Sequence, residues 1–195
     1  IGCFGTLLKH KKLGDKINII FLTDGVSARG ANDKEKSERK KNCFKALKIL
    51  SLNQKNIFFL DYPDNMMDSV PLLNVVKEIE KIKKKIKPNI IYTHFSNDLN
   101  VDHRIAYQAT ITSSRPKKNE TVKKIFCFEI LSSTEWADKN KVNFSPNYFV
   151  DISNFINLKL KALKAYDKEI KRSPNSRSLE NIKNPSGMKQ NFETK

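Results

Sequence analysis

Five short apolar runs punctuate the chain: "INIIFL" at 17–22, "NIFFL" at 56–60, "NIIYTH" at 89–94, "IFCFEI" at 125–130 and "YFVDI" at 148–152. The first three are almost continuously apolar, the pattern of strands buried on both faces. Between them, apolar residues recur at helical spacing. Residues 33–50 put Cys43, Ala46, Leu47 and Leu50 on one side, and residues 72–86 do the same with Leu72, Val75, Val76, Ile79, Ile82 and Ile86. A third helix is predicted to begin near Asp102 and a fourth to cover about 154–170, while "GTLLKHKKLGD" reads as a helix tail stopped at Gly14. This alternation predicts an α/β fold, three-layer and Rossmann-like, with a mostly parallel sheet and right-handed crossovers. In such sheets ligands bind beyond the carboxyl ends of the strands. That singles out three loops: "TDGVSARG", "DYPDN" and "FSNDLNVDHR".

Composition narrows the picture. The chain has 195 residues, 38% of them hydrophobic, with twelve Phe and six Gly, which suits a folded globule of one domain. That domain is expected over 1–180, with 181–195 as a divergent or frayed tail broken by Pro. No apolar run reaches the roughly 18 to 20 residues of a membrane span, and the start does not read as a secretory signal. The chain lacks an initiator Met, so it is expected to begin inside a longer gene product. Cys3, Cys43 and Cys127 are far apart and have no metal-binding spacing. They read as small buried hydrophobes in a reducing cytoplasm.

The net charge of +16 raises the question of nucleic acid. Of the 37 basic residues, only six are Arg, and the Lys residues are scattered over every segment. Base readers lean on the bidentate fork of Arg. Dispersed Lys on solvated faces is the simpler reading, and no nucleic-acid partner is expected.

The loop "SNDLNVDHR" carries the densest chemistry. Asp102 can cap a helix, leaving His103 in the first turn with its ring in the cleft, and neutral imidazole is a common zinc ligand. A capping Asp followed by a surface His is the plain alternative, although Asn97, Asp98 and Asn100 are more polar groups than a cap requires. Arg29, on the small-residue loop "SARG", can reach a ligand hydroxyl or phosphate, or can simply be solvated. "SSTEW" at 132–136 is not a nucleophile elbow, since no G-x-S-x-G is present. Neither a P-loop nor a strand-borne G-x-G-x-x-G occurs.

Together, "GCFGTLLKHKKLGDKINIIFLTDGVSAR", "YTHFSNDLNVDHR" and "FEILSSTEW" resemble the zinc-dependent de-N-acetylases of the LmbE-like, or PIG-L, family over residues 1 to about 180. The resemblance implies removal of an acetyl group from N-acetylglucosamine-type sugar conjugates by Zn²⁺. In the family, a His-Pro-Asp-Asp-Glu motif supplies two metal ligands and the general base, and a later Asp-His pair supplies another ligand. The zinc lowers the pKa of its water towards about 7 and polarises the amide carbonyl. By position, His103 is then a metal ligand, Asp102 its orienting carboxylate, and Asn100 stands where many members carry a His suited to the oxyanion. Arg29 is expected to contact substrate, and Asp98 and Asn97 join it as substrate-binding candidates.

The resemblance places the His-Pro-Asp-Asp-Glu segment and a central strand just before Ile1. The chain as written is therefore expected to hold one ligand of three, to carry a gap in its sheet and to be inactive alone. The expected partner is a small amino-sugar substrate, and a homo-oligomer is compatible with the sequence. A non-catalytic remnant of the fold and a basic nucleic-acid-binding module are the rival readings.

Overall fold

The computed structural model describes residues 2–138, 140–183 and 189–194, with side chains described to residue 183. The helices and strands alternate as α1 (Phe4–Lys12), β1 (Ile19–Thr23), α2 (Asp33–Lys48), β2 (Ile57–Tyr62), α3 (Leu72–Ile86), β3 (Ile90–His94), α4 (Val101–Ser113) and β4 (Lys124–Phe128). They are followed by β5 (Tyr148–Asp151), α5 (Ile156–Lys164), α6 (Leu179–Lys183) and β6 (Lys189–Thr194). The fold is mixed α/β with parallel strands, as the pattern predicts. Residues group into two compact units, one of 1–61 with 149–191 and the other of 62–148 with 192–195.

In the first unit, β1 and β2 form a two-stranded sheet. Its core gathers Phe4 and Leu8 of α1, Cys43, Ala46 and Leu47 of α2, then Ile17, Leu50 and Ala162. α2 is started by a capping box: the Asn32 side chain accepts the Glu35 amide and the Glu35 carboxylate accepts the Asn32 amide. α1 is followed by Gly14 at φ +88°, a conformation that glycine adopts without penalty. The strands depart from the expected burial on both faces, because every residue of β1 is half-buried rather than buried. Among the described residues this sheet has two edges and no centre, so neither strand has a neighbour on both sides. Phe21 and Phe59 instead cover one another, with ring centroids 5.1 Å apart.

In the second unit, β3 and β4 pair in parallel, from Ile90 opposite Lys124 to His94 opposite Phe128. β6 runs antiparallel on β4, with Cys127 opposite Glu193. Of the stretch 181–195 expected as a divergent or frayed tail, residues 184–188 and 195 lie outside the described residues. α3 packs on α4 through its apolar stripe of Val75, Val76, Ile79 and Ile82, all buried. Beneath that contact, Lys83 is buried with its ammonium on the Ser113 carbonyl, the Ser114 hydroxyl and the Glu120 carboxylate at 2.8–3.1 Å. The partners fill its donor capacity, which is what makes a buried cation tolerable.

All three cysteines are buried thiols outside any disulfide, and burial pushes the Cys3 thiol up to about 11. No helix among the described residues is long and apolar enough to cross a membrane. Leu50 is fully buried in the first core. Leu50→Ala is expected to destabilise the protein by about 2–5 kcal/mol, measurable as a lower midpoint of urea unfolding with an unchanged slope.

Candidate active site

The loop from β3 into α4 builds the site. β3 ends at His94, and Phe95, wholly buried, anchors the chain as it turns. Asn100 is the N-cap of α4, its side-chain oxygen accepting the Asp102 amide at 2.8 Å. The cap expected at Asp102 therefore sits two residues earlier. Asp102 does not orient His103 either. Its carboxylate accepts the Asn65 amide at 2.6 Å and the Met67 amide at 3.0 Å. In the first turn of a helix the carboxylate lies beside the loop that precedes α3, and it satisfies that loop's amides rather than the imidazole.

The orienting carboxylate is Asp98. It is 1% exposed, its carboxylate turned to the interior rather than to solvent. The Nδ1–H of His103 donates to its Oδ1 at 2.9 Å, and the Asn100 amide donates to the same oxygen at 2.9 Å. The Ser133 hydroxyl also donates to Oδ1, and the Thr134 hydroxyl donates to Oδ2 at 2.7 Å. Burial works against its charge, but the His103 and hydroxyl hydrogen bonds outweigh it and hold the carboxyl down at about 2. Arg104 fixes the backbone beneath, donating to the Asp98 and Leu99 carbonyls at 2.7 and 2.6 Å.

His103 is pinned on its face as well. The His94 ring stacks on it with centroids 4.1 Å apart and planes 14° from parallel. Burial, followed by the adjacent His103, holds His94 well below the usual imidazole range, so His94 is neutral at physiological pH. Asn97 ties down a neighbouring loop, donating to the Asp138 and Val142 carbonyls at 3.1 and 3.0 Å. Three loops are thus fastened to one short segment: 65–67 by Asp102, 133–134 by Asp98 and 138–142 by Asn97.

Arg29 belongs to the first unit. Its guanidinium has an internal partner there, pairing with Glu169 at 2.9 Å. Arg39 and Arg177 reach the same carboxylate at 3.5 and 3.0 Å. Burial opposes the charge of Glu169, and the three guanidiniums together hold its carboxyl below the ordinary range. Arg29, Arg39 and Glu169 line a pocket of about 140 Å³ with Tyr166 and the acidic Glu35 and Glu38.

Chemically, the second unit presents one imidazole with a settled tautomer. With Nδ1–H on Asp98, Nε2 is the nitrogen available to a ligand, the usual arrangement of a metal-binding histidine. A metal centre needs more than this. Among the described residues, His, Cys, Asp and Glu side chains form no group of three able to hold a metal ion. The residues present fit one ligand of a metal site and not the whole of it.

Residues 1–114 match the family of GlcNAc-PI de-N-acetylases, PIG-L. The chain belongs to that family. Solved structures with the same fold include an N,N'-diacetylchitobiose deacetylase from Pyrococcus horikoshii, 19% identical with a TM-score of 0.72, the match covering 100% of this chain and 78% of that one. The zinc-inhibited form of the teicoplanin deacetylase Orf2 is 13% identical, with a TM-score of 0.72 over 97% of this chain and 90% of that one. GalB from Pseudomonas putida KT2440 is a 4-carboxy-2-hydroxymuconate hydratase, 16% identical with a TM-score of 0.67 over 97% and 88%. One fold therefore hosts deacetylases and a hydratase, and the site rather than the fold has to decide between them.

Sequence reasoning missed His94, Ser133 and Thr134, and it gave the part of Asp98 to Asp102. The terminal His of "NIIYTH" was a readable signal, since it ends a strand on the ligand side. The folded pKa of Asp98 is depressed. Its charge therefore contributes stability above the unfolded value of about 3.9, on the order of 2 kcal/mol, which is lost as pH falls towards about 2. Acid unfolding followed between pH 5 and pH 2 is expected to lose this component in Asp98→Asn and to retain it in the parent.

Proposed function

We propose that the protein is a metal-dependent amide hydrolase that removes the N-acetyl group from an N-acetylglucosamine-type sugar conjugate. The observation that carries the reading is the Asp98–His103 pair, a buried carboxylate at 2.9 Å from Nδ1 that leaves Nε2 for a ligand. Family membership over residues 1–114 supports the reaction class. The name of one structural neighbour, an N,N'-diacetylchitobiose deacetylase, supports an acetylated amino sugar as the substrate class, and that of the teicoplanin deacetylase supports deacetylation.

In this reading His103 is one metal ligand, held by Asp98. A metal held there would activate water and polarise the amide carbonyl. Asn100 has its oxygen engaged by the helix amide, which leaves its NH₂ group as the donor for a developing oxyanion. The choice of zinc follows from the family resemblance. The teicoplanin enzyme's zinc-inhibited form makes it necessary to compare several divalent ions.

The test is acetate release from N,N'-diacetylchitobiose and related N-acetylglucosamine conjugates. It uses the protein expressed from its complete reading frame and loaded in turn with Zn²⁺, Co²⁺ and Mn²⁺. Turnover that is removed by chelation and restored by one of these ions is expected. His103→Ala should lower kcat/KM by a factor of about 10³ or more and reduce the bound metal in parallel. Unchanged turnover in that variant overturns the reading.

A further inference from the structure

The "SSTEW" segment does no nucleophilic work, yet two of its hydroxyls lie on the carboxylate that holds the imidazole. The Ser133 hydroxyl donates to Oδ1 of Asp98 and the Thr134 hydroxyl to Oδ2, both from buried side chains. Direction is settled at Thr134. Its oxygen accepts the Ile130 amide at 2.7 Å, so its single hydrogen points to Asp98. The turn beneath is held independently, since the Glu135 carboxylate accepts the Ser132 and Ser133 amides. Each oxygen of Asp98 therefore receives a hydroxyl from one side. Oδ1 receives the Asn100 amide and His103 as well.

We propose that Ser133 and Thr134 are positioning residues for His103, acting through Asp98. Hydroxyl donors on both oxygens, with the Asn100 amide on Oδ1, fix the rotation of the carboxylate and aim a remaining lone pair of Oδ1 at the Nδ1–H of His103. The loop around 132–136 thereby determines which ring nitrogen of His103 carries the proton and which one faces a ligand, although the loop's hydroxyls touch neither nitrogen. Without Ser133, Oδ1 keeps only the Asn100 amide besides the imidazole, the carboxylate turns more freely, and the constraint on the ring's tautomer weakens. His94 continues to stack on the ring face and holds its plane, so the change should appear in the tautomer more than in the ring position.

This inference deepens the reading of His103 as the working imidazole and rests on it. The test is made on the ring itself, so it is independent of whether acetyl groups are removed. Nitrogen-15 NMR of the metal-free protein with the imidazole neutral distinguishes Nδ1–H from Nε2–H directly. The parent is expected to be Nδ1–H. Ser133→Ala removes one hydrogen bond to Asp98 and should raise the Nε2–H population about fivefold, the equivalent of one ordinary hydrogen bond. Thr134→Ser, which keeps the hydroxyl and the acceptor for Ile130, should leave the parent tautomer. An unchanged Nδ1–H tautomer in folded Ser133→Ala overturns the proposal, and so does a shift in Thr134→Ser. Should Ser133→Ala fail to fold, Ser133→Cys, with its weaker donor, takes its place, with the same two results deciding.

Discussion

A buried carboxylate organises the site. Asp98 is almost wholly removed from water, and a bare charge in that position would be untenable. It persists because four donors surround it: a helix-cap amide, an imidazole and two hydroxyls. Each donor is itself placed by meeting that demand. The cap at Asn100 starts α4, His103 takes its tautomer, and the 133–134 turn is drawn onto the end of β3. Remove the negative charge, and these groups lose the single acceptor they share.

Asp98 and Asp102 are four residues apart and do different work because the helix begins between them. Asp98, ahead of the cap, faces inward and receives side chains from the loop beyond β4. Asp102, inside the first turn, receives the two backbone amides of residues 65 and 67. The segment "SNDLNVDHR" is dense in polar groups for this reason. It is a junction at which Asp98 and Asp102 supply acceptors to two loops and Asn97 supplies a donor to a third.

Much of this architecture is readable along the chain, and the exceptions have a common cause. The 72–86 stripe became α3 residue for residue, and each apolar run became a strand, because both patterns depend on near neighbours. His103 stood out for its place after a strand. The partners of Asp98 did not, because Ser133 and Thr134 lie 35 and 36 positions further on, and nothing local in "SSTEW" marks its hydroxyls for a distant carboxylate. Arg29 reads locally as a free cation over a cleft, while its carboxylate is Glu169, 140 positions away. Local periodicity carries the elements, and long-range pairing of polar groups carries the site.

The first unit is discontinuous, and this bears on how it is made. Residues 1–61 emerge from the ribosome well before residues 149–191. Until α5 arrives, the core of α1 and α2 lacks Ala162 and the residues packed around it. Until Glu169 arrives, Arg29 and Arg39 have no shared counter-charge. The earlier segment of this unit is thus completed only by the later one, and its apolar faces wait for residues 149–191. The second unit, apart from its short C-terminal strand, is continuous in sequence. It has most of what it needs while the chain is still growing.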